Sequence, residues 1–510
     1  MSQIQRNLEH AESNFSALFE PKGIVIAGAS THPGKFGFVS LHNVIASGYQ
    51  GKIFATNLEG AEVLGLKTLR SLQELPHGEA DLIFVCTPKS ANLELLREAA
   101  KKGITAAFLT SAGYGEAGEQ GRIDEAELVA LCKELGILLV GPNGQGVVST
   151  PVQLCAQIVA PYPPAGGIGI ASQSGNFVSS FMNWSCATGV GISRAVSAGN
   201  AASTSVGDFL EMYSHDPATR VGLAYVEGIS DGRNFFNQVA AVAQKMPLVV
   251  IKGGATEGGA QAAASHTGSL ATDDRTFDGV CRQAGVTRAA TVEEAFEAAA
   301  TFATQPLPRG NKVVVMTTAG GWGVVTADAI ARDHDLQLIK LPADLKEAID
   351  AYLPPRWSGG NPVDLAGGET RDTIPKVLEL VASHPLVDAV IYLGIGIQSN
   401  QARMLHQGPF AQDPDVQRIV SYHERQDARF ARAADEVSRL TGKPILTATE
   451  LAVAFSDNAG PATVRSTGRL CYSSADRAVS ALGHLWRHSR YRMRRGLELI
   501  DSGPAEADGE

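Results

Sequence analysis

The chain has 510 residues, of which 44% are hydrophobic and 19% charged, and its formal net charge is -10. That length is too great for one ordinary hydrophobic core and predicts about three domains. The acidic balance, with no Lys/Arg-rich run, argues against a nucleic-acid partner. The sequence holds no apolar stretch long enough to span a bilayer, so we expect a soluble protein without a membrane anchor.

Six cysteines are scattered through the sequence, with no C-x-x-C pair and no Cys/His cluster. They are Cys86, Cys132, Cys155, Cys186, Cys281 and Cys471. This pattern is typical of reduced thiols and not of a disulfide framework or a zinc site. The first twenty residues, MSQIQRNLEHAESNFSALFE, lack the apolar segment of a secretory signal. We therefore expect a cytoplasmic protein without a bound metal of its own.

Short apolar runs alternate with Ala/Leu/Glu-rich helical stretches over the first 150 residues. The runs are GIVIAGAS, KIFATN, DLIFVCTP, AAFLTSAG and ILLVGPNG, and each ends in small or turn residues. Such alternation predicts βαβ units on a doubly wound parallel sheet. Ligands bind at the carboxyl ends of the strands in such sheets. The Gly, Ser, Asn and Pro residues at these ends are therefore the first candidates for a site.

Two further series of strands follow, and they correspond one by one. The second series contains GIGIASQSGN, RVGLAYVEGI and PLVVIKGG, and the third contains KVVVMTTAGGWG, DAVIYLGIGI and KPILTATEL. This correspondence indicates an internal duplication of a flavodoxin-like unit. The predicted domains are residues 1–150, 151–305 and 306–495, and a disordered acidic tail is expected over 496–510.

One segment lengthens the second series relative to the third. The stretch from Pro247 to Gly285 is longer by about 14 residues than its counterpart from Pro444 to Gly468. The extra residues include AAASHTGSLA, in which His266 is the one histidine. An insertion in one of two matching units indicates function more than architecture. Neutral imidazole can act as a nucleophile, but a histidine in a loop can also be merely exposed.

The first strand end, in IVIAGASTHPGKFG, is suited to a phosphate. Gly28, Ala29 and Ser30 allow a close approach of the backbone, and a helix N-terminus follows. Lys35 would add a positive charge. The glycines are too widely spaced for the G-x-G-x-x-G nicotinamide fingerprint. The competing interpretation is a turn that needs small residues only for packing.

Three other strand ends carry polar groups. Ser172, Ser174 and the Gly175 amide in ASQSGN have the makings of an anion cradle, although a serine N-cap has the same pattern. Asn143 in GPNGQG offers a donor and an acceptor, or is part of a tight turn. Glu227 in YVEGISDG could accept one ring N–H of an imidazole and fix its tautomer, or it is a solvated loop carboxylate.

These motifs, in this order, resemble those of the NDP-forming acyl-CoA synthetases, relatives of the α subunit of succinyl-CoA synthetase. GASTHPGKFG, NLEGAEVLGLK, SAGYGE and GPNGQG resemble the CoA-binding domain of that family. IGIASQSGNF, YVEGISDGR and IKGGATEGGAQAAASHTGSLA resemble its second domain, and TTAGGWGVVTADA with GNPVDLAGG resembles its third. The resemblance runs from about residue 20 to about residue 490. It implies a Rossmann-like CoA-binding domain followed by two flavodoxin-like domains.

The resemblance also implies a role for each candidate residue. His266 would be the phosphohistidine, and Glu227 would orient its ring. The phosphate would bind at Ser172, Ser174 and Gly175, CoA along Gly28, Ala29, Ser30 and Lys35, and acyl transfer would take place near Asn143. In this family acyl-CoA and phosphate give acyl phosphate and CoA. The phosphoryl group then passes to the histidine and on to a nucleoside diphosphate, and the steps are reversible.

Two departures and one gap qualify the resemblance. The family often has a cysteine after the asparagine of GPN, where Gly144 and Gln145 follow here, and it tends to read NPK where this chain has NLEG. No segment resembles the ATP-grasp unit of the family. The resemblance therefore implies a separate ATP-grasp β-type subunit that brings ATP or ADP and Mg²⁺, in an oligomer that acts on a carboxylic acid.

Two other functions compete with this one. The first is a non-catalytic CoA-binding or regulatory protein on the same fold, which would bind CoA without carrying phosphate. The second is a nicotinamide-dependent oxidoreductase, which the glycine spacing disfavours and for which no acidic ribose-binding residue is evident.

Overall fold

The computed structural model describes residues 14–229, 231–261, 273–365, 372–450 and 457–499. The chain divides into two compact units, Met1–Ala187 with Gly191–Ala295, and Thr188–Val190 with Phe296–Glu510. The first unit holds a five-stranded sheet, a seven-stranded sheet and a two-stranded hairpin, and the second unit holds one six-stranded sheet. None of the helices described is both long and apolar enough to cross a membrane.

The first sheet has five parallel strands in the order β2-β1-β5-β6-β7. Its strands are β1 (Gly23–Ala27), β2 (Lys52–Thr56), β5 (Leu82–Val85), β6 (Ala106–Leu109) and β7 (Leu138–Val140), and a hairpin of β3 (Glu62–Val63) and β4 (Leu66–Lys67) follows β2. The helices are α1 (Phe36–Ala46), α2 (Asn92–Lys101) and α3 (Glu119–Leu135). Successive residues of β1 pack into apolar clusters on opposite faces, as expected for a strand covered on both sides.

The second sheet has seven strands in the order β14-β13-β12-β10-β11-β8-β9. The strands are β8 (Gly146–Ser149), β9 (Leu154–Gln157), β10 (Ala165–Ser172), β11 (Ile192–Ser197), β12 (Val221–Val226), β13 (Leu248–Lys252) and β14 (Thr287–Ala289). The helices are α4 (Gly175–Thr188), α5 (Val206–Tyr213), α6 (Gly232–Lys245), α7 (Asp274–Ala284) and α8 (Val292–Thr304). The β8–β9 hairpin adds an antiparallel edge that the sequence pattern did not indicate.

The third sheet lies in the second unit, in the order β16-β15-β18-β19-β20 with β17 also paired to β15. Its strands are β15 (Lys312–Thr317), β16 (Gln337–Leu338), β17 (Val363–Asp364), β18 (Ala389–Leu393), β19 (Ile445–Ala448) and β20 (Cys471–Tyr472). The helices are α9 (Gly320–Asp333), α10 (Ala343–Asp350), α11 (Thr373–Ser383), α12 (Ile397–His406), α13 (Pro414–Thr441), α14 (Ala459–Ser466) and α15 (Ala475–Arg494).

The second and third sheets share one strand order. Numbered along the chain within each unit, β11-β10-β12-β13-β14 and β16-β15-β18-β19-β20 both run 2-1-3-4-5, which is the flavodoxin-like order. The first sheet, β2-β1-β5-β6-β7, has the same order, so the internal duplication of the second and third series stays a prediction from the sequence. In this order the connections leave the first strand in opposite directions, so a crevice opens between strands 1 and 3. The crevices lie between β1 and β5, β10 and β12, and β15 and β18.

A buried ion pair connects β11 of the second sheet to the loop before β12. The guanidinium of Arg194 on β11 donates to Asp216 with an Nε–Oδ2 distance of 3.0 Å, and both side chains are buried. It also bonds to Ser149 on β8 and to Glu20 before β1. Thr219 donates to Asp216 at 2.7 Å. One arginine thus connects the hairpin edge, the loop before β12 and the start of the first domain.

Replacement of Arg194 by methionine should destabilise the first unit by about 3–5 kcal/mol, because it leaves the Asp216 carboxylate buried without its cation. Thermal unfolding followed by circular dichroism, with urea titration of the same variant, would measure the change. Arg282→Met removes an ion pair from an exposed helix face and should change stability by less than about 0.5 kcal/mol. Equal losses in the two variants would contradict the structural role of Arg194.

Candidate functional site

The crevice of the first sheet is a cleft of about 660 Å³ at the carboxyl ends of β1, β2 and β5. Gly28 and Ala29 line it from β1, Asn57 from β2, and Cys86 and Thr87 from β5. The Asn57 side chain donates to the Ala29 carbonyl at 2.8 Å and fixes the first turn against the second. The cleft is thus built from the loops at which sequence reasoning expects a ligand.

Two glycines are required for this turn. Gly28 has a φ of +84°, and a β-carbon there would lie 3.2 Å from the Cys86 carbonyl oxygen. A β-carbon on Gly37 would lie 2.1 Å from the Gly28 carbonyl oxygen, so α1 packs directly on the turn. These glycines explain the GASTHPGKFG spacing as a close helix–turn contact, which differs from the nicotinamide fingerprint.

Ser30 and Lys35 lie in the turn between β1 and α1 but are not part of the cleft lining. The Ser30 hydroxyl accepts the His32 backbone N–H at 3.1 Å. Lys35 immediately precedes α1 and is exposed, with no side-chain cap on the helix. Of the four residues predicted for CoA on this turn, the structure brings Gly28 and Ala29 into the cleft.

Ser172, Ser174 and Gly175 form the turn from β10 into α4, at the crevice of the second sheet. Ser172 is fully buried, and its hydroxyl donates to the Ser174 carbonyl at 2.6 Å and accepts the Ser174 N–H at 3.1 Å. The hydroxyl therefore holds the turn itself. Gly175 begins α4, whose first N–H groups lack partners within the helix and are the groups available to an anion.

Glu227 follows β12 on the opposite side of the same crevice and is buried, with 8% of its surface exposed. The Tyr225 hydroxyl donates to its carboxylate at 3.0 Å. Burial, and then the charge of Glu227, raise the pKa of Tyr225 well above the ordinary value. Tyr225 consequently stays protonated and remains a donor to the carboxylate, while its ring stacks on Phe177 of α4.

Gln173 links the two sides of this crevice and was missed by sequence reasoning. Its amide oxygen accepts the backbone N–H groups of Glu227 at 2.5 Å and Gly228 at 3.2 Å. Its amide nitrogen donates to the Gly228 carbonyl at 3.0 Å. The position of Gln173 between two serines at a strand end was an available signal. The structure thus brings Ser172, Ser174, Gly175 and Glu227 around one crevice.

Asn143 ends the first sheet and contacts a loop of the second. It has a φ of +63°, and its side-chain amide donates to Asn200 at 3.4 Å. Asn200 in turn donates to Glu116 at 2.6 Å and Glu125 at 2.7 Å. Partial burial raises the pKa of Glu116, but the hydrogen bonds from Asn200 and the Gly113 backbone outweigh it and lower that pKa. Asn200 is a second residue of this region that sequence reasoning missed.

His266 lies outside the described residues, so the structure gives it no position. The flanking chain is described on both sides: β13 ends at Lys252, and α7 begins at Asp274. Within the described ranges, no three His, Cys, Asp or Glu side chains are grouped so as to hold a metal ion.

Three family models match successive parts of the chain. They are the CoA binding domain over residues 22–150, the succinyl-CoA ligase like flavodoxin domain over 165–302 and the ligase-CoA domain over 313–397. The α subunit of ADP-forming acetate–CoA ligase I from Pyrococcus furiosus is 37% identical, over 74% of this chain and 82% of that protein. ADP-forming acetate–CoA ligase I from Archaeoglobus fulgidus is 34% identical, over 73% of this chain and 54% of that protein.

A solved structure matches almost the whole chain. It is the dinucleotide forming acetyl-coenzyme A synthetase 1 of Ca. Korarchaeum cryptofilum, in complex with phosphate and ADP. It superposes with a TM-score of 0.80 at 28% sequence identity, and the match covers 95% of this chain and 99% of that chain. The similarity therefore includes all three sheets.

Cys86 in the cleft should be slow to alkylate at neutral pH. Burial raises the pKa of its thiol to about 11, so about one thiol in a thousand is ionised at pH 8, and the thiolate is the reactive form. Iodoacetamide labelling from pH 7 to 10, read by peptide mass spectrometry, should give a rate that still rises at pH 10. Cys186, which is exposed, is the internal control, and equal rates for the two at pH 8 would contradict the assignment.

Proposed function

The chain belongs to the family of NDP-forming acyl-CoA synthetases, and from that membership we propose that it passes a phosphoryl group between acyl phosphate and ADP through His266. It is an acid–thiol ligase of the ADP-forming class and corresponds to the α subunit of its relatives. The overall reaction converts a carboxylic acid, CoA and ATP into acyl-CoA, ADP and phosphate, and it runs in both directions.

The proposed reaction has three steps. Phosphate attacks the acyl-CoA carbonyl, the C–S bond breaks, and acyl phosphate and CoA form. A ring nitrogen of His266 then attacks the phosphorus, and the carboxylate leaves with the bridging oxygen. Finally the terminal oxygen of ADP attacks the phosphohistidine and forms ATP, while the P–N bond breaks and the imidazole is neutral again.

Glu227 and the cradle serve the middle step in this proposal. A buried carboxylate that accepts one ring N–H holds the imidazole in the tautomer whose other nitrogen is free to attack. The first N–H groups of α4 bind the transferred phosphate, and Ser172 keeps the turn of Ser174 and Gly175 in place. The observation that carries the proposal is that Glu227 and the α4 N-terminus face one crevice of the same sheet.

CoA is the second ligand of the chain. We assign its adenosine end to the cleft beside Gly28 and Ala29, with Ser30 and Lys35 along the phosphates that run toward α1. Asn143 would lie near the acyl-transfer site, since its loop is bonded to the Asn200 loop of the second sheet. Gly28 and Gly37 support this assignment, because their lack of a β-carbon opens the turn to close approach.

A separate ATP-grasp β-type subunit completes the enzyme in this proposal. The match covers 82% of a relative named as an α subunit but 54% of one named as the whole ligase, which is the difference expected if the latter contains additional domains. We assign the nucleotide and Mg²⁺ to that subunit, in an oligomer with this chain. We also propose a cytoplasmic setting, because the six cysteines are free thiols.

Transfer of labelled phosphate from γ-labelled ATP would test the function. The chain is incubated with Mg²⁺ and its candidate ATP-grasp partner, and acid-labile, base-stable label should appear and be discharged by CoA plus a carboxylic acid. His266→Ala should abolish labelling. Glu227→Gln should slow it about a hundredfold, since the amide is uncharged and its N–H can hold the ring in the wrong tautomer, whereas Glu293→Gln on the exposed face of α8 should have no effect.

The same experiment separates the alternative function. A chain that binds CoA but takes no label, beside a partner that labels a known relative, would be a non-catalytic CoA-binding protein. Label that persists in His266→Ala would reject the phosphohistidine route. A screen of carboxylic acids for discharge of the label identifies the acyl substrate.

A further inference from the structure

The cleft of the first sheet has an unusual charge distribution for a ligand with phosphate groups. Glu59, Glu94 and Glu98 line it, and Arg70 is the one cationic residue of the lining within the described chain. CoA carries a pyrophosphate and a phosphate on its ribose. An acidic rim disfavours such an anion by like-charge repulsion. With the pyrophosphate assigned to Ser30 and Lys35 outside the lining, the cation of the lining determines where the ribose phosphate can be bound.

Arg70 lies at the end of β2. Leu69, immediately before it, pairs with Thr56, the last residue of that strand, through a parallel bridge. The stem of Arg70 packs on Gly60, where a β-carbon would lie 3.2 Å from the arginine Cγ and Nε atoms. Arg70 is therefore held beside the end of β2.

The guanidinium of Arg70 is available to a ligand. The Glu74 carboxylate accepts the Arg70 backbone N–H at 3.0 Å, and no described carboxylate forms an ion pair with the Arg70 side chain. The side chain is exposed, and its guanidinium offers five N–H donors in the cleft. A planar fork of donors is the group that recognises a phosphate in two-point fashion.

The position of Arg70 indicates which phosphate it meets. In doubly wound sheets the pyrophosphate lies over the helix that follows the first strand, and the adenosine ribose lies at the end of the second. An arginine near the second strand is how dinucleotide-binding domains accommodate a ribose phosphate. Leu58, 93% exposed on the same rim, offers an apolar surface to a base.

We propose that Arg70 is the specificity-determining residue for the ribose 3′-phosphate of CoA, and that it distinguishes CoA from 3′-dephospho-CoA. This inference rests on the proposed function, because it takes CoA as the occupant of the cleft. Glu98 is paired with Lys101 at 2.6 Å, and the other two carboxylates, Glu59 and Glu94, repel a phosphate elsewhere on the rim and so favour its binding at the guanidinium of Arg70.

Calorimetric titration of the purified full chain with CoA and with 3′-dephospho-CoA tests the proposal. The wild-type chain should bind CoA about tenfold more tightly, a ratio that corresponds to one charge-assisted contact at a solvent-exposed site. Arg70→Gln should remove that difference by weakening CoA alone. Arg97→Gln, a neutralisation on the exposed face of α2 outside the cleft lining, should behave as wild type.

Glu59→Gln is a second variant, which should change the affinity for CoA in the opposite direction. Removal of this carboxylate from the rim should tighten CoA and leave 3′-dephospho-CoA unchanged, with a smaller effect at high salt. Equal weakening of both ligands by Arg70→Gln, or equal binding of both by the wild-type chain, would overturn the role of Arg70. If the wild-type chain binds neither ligand, the CoA part of the proposed function fails, and the inference fails with it.

Discussion

The proposed site residues that lie in the two crevices depend on one geometric constraint of parallel sheets. When the connections from a central strand leave in opposite directions, the loops that follow two neighbouring strands separate, and a crevice opens at their carboxyl ends. The first sheet puts Gly28 and Cys86 on the two sides of such a crevice, and the second puts Ser172 and Glu227 there. The polar chemistry is therefore located by strand order, before any side chain contributes to it.

In the crevice of the second sheet, hydrogen bonds give the buried carboxylate of Glu227 a defined position. Burial of the Glu227 carboxylate costs free energy, and the hydrogen bond from the Tyr225 hydroxyl offsets part of that cost. The bond from the Glu227 backbone N–H to Gln173 fixes the position of the residue. A carboxylate in an open loop would be solvated and would orient a neighbouring ring poorly. The Gln173 bridge thus joins fold stability to the placement of the proposed orienting group.

The sequence was informative wherever a residue type matches a local requirement. Alternating apolar runs predicted the three sheets, and small residues at strand ends predicted the turns at Gly28 and Gly175. Contacts between distant segments carry no such local signal. Asn200, which bridges Asn143 to Glu116, and Arg70, which a hairpin brings to the cleft, lie 57 and 42 positions from Asn143 and Gly28. Only the folded chain brings these pairs together.

Contacts between distant segments also explain why Gly144 follows GPN in this chain, where the family often has a cysteine. A β-carbon on Gly144 would lie 2.6 Å from the Phe108 ring and 2.8 Å from the Ser197 carbonyl oxygen. A cysteine at this position would therefore require the ring or the loop to shift. The next residue, Gln145, brings its side chain against Gly175 at the start of α4, so this chain has an amide beside the cradle.

A comparison of the second and third sheets, residue by residue, shows which side chains the common fold requires. Ser172 pairs with Tyr225 and Thr317 pairs with Leu393 at the same place in the two sheets. The Thr317 hydroxyl repeats the bonds of Ser172, because it donates to the Ala319 carbonyl at 2.9 Å and accepts the Ala319 N–H at 3.0 Å. That hydroxyl bond therefore belongs to the fold.

In the same register, Glu227 has no polar counterpart in the third sheet, unlike Ser172. Two residues beyond Tyr225 the second sheet has Glu227, whereas two residues beyond Leu393 the third has Ile395, which is fully buried. The fold accepts an apolar side chain at this position without a carboxylate. The sheet that carries the histidine insertion is also the sheet that has the carboxylate, as expected if the two residues act in one reaction.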